Sequence, residues 1–256
     1  MDVRVDELFQ QRESKLLEWV FSDRNCLKSS DACRQMREGF ARRLLLMQAS
    51  RRVISQVLSP SRRRKLSLDE CADLNVHLNS FYAQLASAMD NLASVLQYEF
   101  AIAGFVGDED AKIRERCDLF DPDFQRGLSR AFPRLFSSLG RRMLWAMELR
   151  EYRDPRRQRL PLYVVPGLVD EDGTAALSDF KSELTAAMRS CDFEAYREKL
   201  RQVQQVGSYL PLLATAGPDA IQLRPLPDQL YQDEDEFLGT AESIFSALGV
   251  SNREDR

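Results

Sequence analysis

Along most of the chain, apolar residues recur three and four positions apart, the spacing of helices that bury one face. Val5, Leu8, Phe9, Leu16, Leu17 and Val20 mark such a stripe over 3–21, with a gap in its middle. After a polar joint, Asp31 opens a second stripe of Met36, Phe40, Leu44, Met47, Ile54, Val57 and Leu58. The other face of that helix takes Arg34, Arg37, Arg42, Arg43, Arg51 and Arg52, and Ser59-Pro60 ends it, because proline disfavours helical geometry in the residue before it. Ser67-Leu-Asp-Glu70 has the capping-box pattern. The helix it starts carries Leu74, Phe81, Ala88 and Val95 every seven residues, with Leu78, Leu85 and Leu92 interleaved, and Gly104 and Gly107 close it.

The rest of the chain follows the same rules less regularly. A short helix is predicted over 108–119, and Asp121-Pro122 pairs an aspartate cap with a proline whose missing N–H is not needed there. Pro133 and Gly140 interrupt the next stretch, and the stripe of Leu139, Met143, Leu144, Met147 and Tyr152 runs to Asp154. Residues 160–165 read as a short extended piece, an edge strand. Helices follow over 175–188 and 193–216, with Asp192 capping the second and Pro211 bending it. A proline-rich connection over 217–233 leads to an amphipathic helix over 233–249, with its acids near the favourable end of the dipole. The pattern describes an all-α fold, a multi-helix bundle with a short extended segment at 160–165. It divides into a bundle over 1–166 and a helical region over 167–256 packed on it as one continuous domain.

Composition adds a polarity of charge. Between Arg34 and Lys65 ten basic residues accompany one acid, Glu38, whereas beyond Asp228 the only cations are Arg253 and Arg256. Such asymmetry suits either a polyanion surface or pairing between the two halves. No apolar run reaches the roughly 18 residues of a membrane span. Residues 1–21 lack the apolar core of a signal peptide, so a cytoplasmic location is expected. Five scattered cysteines without a Cys-x-x-Cys pair speak against a disulfide framework or a zinc knuckle.

Little of the common catalytic chemistry is available. His77 is the sole histidine, which removes His-x-x-x-His metal sites and any two-histidine acid–base pair; no cofactor or metal is expected. Asp73, His77 and Ser80 share a helix face, but neighbours along one helix seldom converge as a nucleophile and its base must. Asp90-Asn91 interrupts the strongest helix with two mediocre helix formers, a sign of an interhelical polar network or a pocket. Arg150, Arg153, Arg156, Arg157 and Arg159 form a cationic cluster at a helix end and, with Asp154 and Gln158 beside them, are able to grip phosphate or the carboxylates of a partner. Arg62, Arg63, Arg64 and Lys65 make a second basic surface.

The helix over 74–100, with Leu78-Asn79-Ser-Phe81-Tyr82 and Met89-Asp90-Asn91-Leu92-Ala93, leads to Tyr152-Arg153-Asp154-Pro155 and Arg159-Leu-Pro161-Leu-Tyr163. These segments, over about 66–166, resemble a group of uncharacterised bacterial helical proteins that in turn resemble the HEPN superfamily. The resemblance implies a helical bundle, often dimeric, of the kind found in toxin–antitoxin and antiphage systems, many of whose members are metal-independent ribonucleases. Their motif is an arginine followed four to six residues later by a histidine. Here the arginine would be Arg153, and Gln158 stands where the histidine would be. Glutamine cannot move a proton near neutrality. The expectation is therefore a non-catalytic HEPN-like binding or regulatory protein, in a stress or defence setting, that contacts RNA or another nucleic acid, a second copy of itself, or a protein partner. The alternatives are a ribonuclease using Arg150 or Arg153 with Tyr152 or Glu151, and a structural subunit of an assembly.

Overall fold

The computed structural model describes residues 3–22, 27–59, 61–62, 64–102, 117–153, 162–216 and 221–254. Its elements are α1 (Val3–Phe21), α2 (Ser30–Arg34), a π-helical stretch (Gln35–Ala41), α3 (Arg42–Val57), α4 (Leu68–Phe100), α5 (Pro122–Ala131), α6 (Pro133–Gly140) and α7 (Met143–Arg153). Then come β1 (Tyr163–Leu168), α8 (Glu171–Arg189), α9 (Phe193–Gln205), β2 (Ser208–Ala216), β3 (Ile221–Pro225) and α10 (Leu226–Glu254). The fold is mostly helical, a multi-helix bundle with one small sheet.

The bundle is built round α4. Its start is the capping box: Ser67 Oγ accepts from the Glu70 amide at 3.2 Å, and Glu70 Oε2 accepts from the Ser67 amide at 2.8 Å. Its end is Ala101 in the left-handed region, with its amide bonded to the Gln97 carbonyl. Leu74, Leu78, Phe81, Leu85, Ala88, Leu92 and Val95 are all fully buried, as two interleaved heptad rows require. Tyr82, Ala86, Met89, Ala93 and Leu96 are buried as well, which widens the apolar surface far beyond one seam. Around it pack α2, the π-helical stretch, α3, α7, α10 and β1. Leaving the water contributes roughly 1.5–3 kcal/mol for each such leucine or phenylalanine. A Cβ on Gly39 would run into the amide end of Asn91, so glycine lets the π-helical stretch meet α4 without displacing that side chain from its hydrogen bonds.

The second half departs from the sequence expectation. Residues 193–216 do not form one helix: α9 stops at Gln205, Gly207 takes φ +92°, and Ser208–Ala216 is a strand. That stretch, Ser-Tyr-Leu-Pro-Leu-Leu-Ala-Thr-Ala, is apolar at nearly every position, which fits a strand covered on both faces. The antiparallel order is β1-β2-β3. Pro211 does not kink a helix. It lies where the β1–β2 register slips, Val165 facing Leu212 and Gly167 facing Tyr209, and a bulge tolerates a residue without an N–H. The connection expected over 217–233 instead holds β3 and the first two turns of α10. The helix predicted over 108–119, and the stops at Gly104 and Gly107, lie largely or wholly outside the described residues.

Two asparagines on α4 hold the outer edge of β1. Asn79 accepts from the Leu162 amide at 3.2 Å and donates to its carbonyl at 2.7 Å, and Asn75 Oδ1 accepts from the Val164 amide at 2.7 Å. An i, i+4 pair on a helix thus does for β1 what a fourth strand would do. Because Leu162 is buried, replacing Asn79 by alanine leaves its backbone groups without partners. Asn79→Ala should therefore cost about 1–3 kcal/mol in urea unfolding. A loss below a few tenths would show that the sheet does not depend on α4.

Candidate functional site

The basic linker pairs with the fold, Arg62 with little exposed surface and Arg64 largely exposed. Arg62 donates to Glu70 Oε2 at 2.5 Å, to the Arg64 carbonyl at 2.9 Å and to the Val57 carbonyl at 3.2 Å. Arg64 makes a two-pronged contact with the same carboxylate, at 2.7 and 3.1 Å. Lys65 Nζ donates to the carbonyl of Val206, and the Arg62 guanidinium lies 5.8 Å from the Tyr209 ring centroid. Arg63 lies outside the described residues. Glu70 is thus both the capping acid of α4 and the anchor of the linker. Partial burial opposes its charge, but the hydrogen bonds from Arg62, the Ser67 amide and Arg64 prevail and hold its pKa down at about 2.

The second cluster is only partly in view. Arg150 pairs with Asp118 across the interval between α7 and the turn before α5. The pair rims a small cavity floored by Ala86, Met89, Phe120, Ala146 and Leu149, with Asp90 on its wall. Asn91 faces the other way. It accepts from Arg43 Nε at 2.8 Å and donates to Gln35 Oε1 at 2.7 Å, while Arg43 also reaches Gln84 at 3.0 Å. Asp90 and Asn91 therefore serve different surroundings, and Asn91 belongs to the network between α4 and the π-helical stretch. The backbone of Arg153 ends α7, while Asp154, Arg156, Arg157, Gln158 and Arg159 lie outside the described residues. On α4, Ser80 receives a hydrogen bond from Ser50 at 3.3 Å. Among the described residues no group of three or more histidine, cysteine, aspartate or glutamate side chains is placed to hold a metal ion. No helix is long and apolar enough to cross a membrane.

Several buried polar residues were not singled out from the sequence. Arg51 does not sit on the solvent face of α3; it is buried, between Glu13 of α1 and Glu234 of α10. The signal was present as gaps: Glu13 fills the break in the first apolar stripe, and Arg51 the break between Met47 and Ile54. Asp233 and Glu234 likewise do not start the last helix. They lie two turns inside α10, both buried. Asp233 accepts from Tyr82 at 2.5 Å, Gln229 at 2.9 Å and Trp145 at 3.0 Å. Burial raises its pKa, although these three donors counter the effect.

One part of the surface has few ties to the bundle. Helices α8 and α9 pack chiefly on each other, and Ala187 is the sole buried side chain described in the pair. Asp170 caps α8 by accepting from the Gly173 amide at 2.8 Å, and Asp192 caps α9 by accepting from the Ala195 amide at 3.0 Å. Lys199 joins the two helices, bonded to Glu183 at 2.6 Å and 5.6 Å from the Phe180 ring centroid. With 19 residues, α8 is about 28 Å long. Near the turn Met188 and Phe193 are 56% and 63% exposed. At the root, Leu168 pairs with Ser208, and a Cβ on Gly207 would meet the Leu168 carbonyl at 2.4 Å. Lys65 and Arg62 grip this root at Val206 and Tyr209. Toward the opposite end of β2, Tyr163 and Leu223 flank the buried Ala214, and Leu223 and Ile221 on β3 are about half exposed.

No family model, curated protein or solved structure matches the chain. The site must be read from its own geometry.

The anchoring role of Glu70 has a definite dependence on acid. Its pKa is lowered from the ordinary 4.5 to about 2, so its contribution is complete above the ordinary value and vanishes as the pH falls through about 2. Glu70→Gln should be less stable than the native chain near neutrality, and the gap should close as the pH is lowered through this window. Urea titrations at several pH values check this; a gap independent of pH would show that Glu70 does not anchor the linker through its charge.

Proposed function

We propose that this chain is a non-catalytic, HEPN-like binding module that engages a protein partner through the α8–α9 arm. The observation that carries the reading is the arm itself: two capped helices, braced mainly by each other, with Met188 and Phe193 exposed near the turn. These two large apolar side chains flank the turn between α8 and α9, a placement suited to an interaction surface. A protein is favoured over nucleic acid because Arg62, Arg64, Lys65 and Arg150 each have a partner within the fold. The stress or defence setting rests on the family resemblance alone.

Photo-crosslinking in the source cell tests this reading, with the reactive side chain placed at Met188, at Phe193, or at Leu46 on α3 as an exposed control. A discrete protein adduct is expected from the two arm positions and not from position 46. Adducts equal at all three positions, or none at the arm, would sink the idea, and a self-adduct would identify the partner as a second copy. In parallel, purified protein should retain little RNA or DNA on filters, without the steep salt dependence that phosphate contacts impose. Tight retention with such a dependence would favour a nucleic-acid ligand instead.

A further inference from the structure

Where α1, α3 and α10 meet, one guanidinium lies between two buried carboxyl groups. Arg51 Nη2 donates to Glu13 Oε2 at 2.8 Å, and Nη1 donates to Glu234 Oε1. Gln48 of α3 adds a neutral donor to Glu13 Oε2 at 3.1 Å. Glu13 and Glu234 have essentially no exposed side-chain surface. The remaining oxygens, Glu13 Oε1 and Glu234 Oε2, are buried and meet no donor among the described residues. Two ionised carboxylates here would leave an uncompensated charge and unpaired acceptors out of reach of water, an arrangement that costs several kcal/mol. A proton on Glu234 removes the uncompensated charge and turns one of these oxygens into a donor.

The charged groups around this centre are Asp6 and Glu13 from α1, Arg51 from α3 and Glu234 from α10. Asp233, next to Glu234, faces the separate network of Tyr82, Gln229 and Trp145. Nearer the surface, Arg12 of α1 bridges Asp235 at 2.6 Å and Glu242 at 2.7 Å. Of these three helices, α1 has least else to hold it. It packs on α10 and the π-helical stretch, whereas α3 and α10 both also pack on α4. Beneath α1 lies an apolar bed: Trp19 against Phe245 at 4.6 Å between ring centroids, Phe9 against Tyr231 at 5.9 Å, and Phe40 against Phe245 at 5.4 Å.

We propose that a proton held by the buried Glu13–Glu234 pair around Arg51 latches α1 to the bundle, and that its loss as the pH rises releases α1 and bares the apolar bed beneath it. On release Glu234 gives its proton to solvent, leaving two carboxylates against one guanidinium. Burial raises both glutamates in the docked state, Glu234 well above the ordinary glutamate range. The docked state is therefore fully favoured below about pH 4.5 and loses ground as the pH rises through the raised value of Glu234. Within that window the ratio of docked to released chain falls about tenfold per pH unit, and above it the ratio levels off.

Hydrogen exchange of the whole chain from about pH 5 to about pH 9, corrected for intrinsic rates, tests the latch. Protection of residues 5–20 should fall with pH while that of 74–96 in α4 stays constant. Glu234→Gln keeps an acceptor for Arg51 and supplies a neutral donor but has no proton to lose, so its α1 protection should not vary with pH. Glu13→Gln leaves a single ion pair and should flatten the profile in the same way. Constant α1 protection in the native chain, parallel loss in α1 and α4, or a native-like pH response in either folded variant would each overturn the proposal.

Discussion

A buried guanidinium has few choices. Arg51 has left water, and leaving water is tolerable for a charge only if carboxylates and hydrogen bonds replace it. Glu13 and Glu234 supply those contacts from helices about 220 residues apart in sequence, so the constraint draws α1, α3 and α10 to one point. A hydrophobic triad of the same volume could be as stable, yet it would bind less selectively to one register. Asp233, one residue before Glu234, ties α10 to α4 and α7 in the same way. Two adjacent acids thus orient one helix against most of the bundle.

Helix α4 supplies the apolar counterpart of that arrangement. Its buried rows collect the helices, and its polar positions do separate jobs at set intervals: Glu70 holds the linker, Asn75 and Asn79 hold β1, and Asn91 holds the π-helical stretch. Through β1 this order passes to the sheet, and through Lys65 and Arg62 to the root of the arm. Beyond the root the bracing is almost wholly between α8 and α9 themselves. A rigid scaffold carrying a sparsely packed projection is how surface elements are made available to partners without weakening the core.

The arginines show that charge density along a chain does not say which charges reach the surface. Ten cations between Arg34 and Lys65 suit either a polyanion face or pairing with acids of the same fold. In the fold Arg62 and Arg64 converge on one glutamate, Arg43 serves Asn91 and Gln84, and Arg51 is in the core. Linear density counts charges, but only the placement of acids decides which of them face water.

Local periodicity and end chemistry determined α4 with its capping box, the Asp121-Pro122 and Asp192 caps, and the breaks at Pro133 and Gly140, because these depend on residues within a turn or two of one another. The same reasoning left gaps at Glu13 and Arg51 without explanation. It also took the strand Ser208–Ala216 for helix, since a short run apolar on both faces has no period to read. What only the tertiary structure decided was the meeting of elements: which acid answers which arginine, that β2 is covered by β1 and β3, and that α8 and α9 stand out as an arm. Those outcomes depend on partners distant in sequence, and desolvation, which makes a buried charge demand its counterpart, acts only once the chain has folded around it.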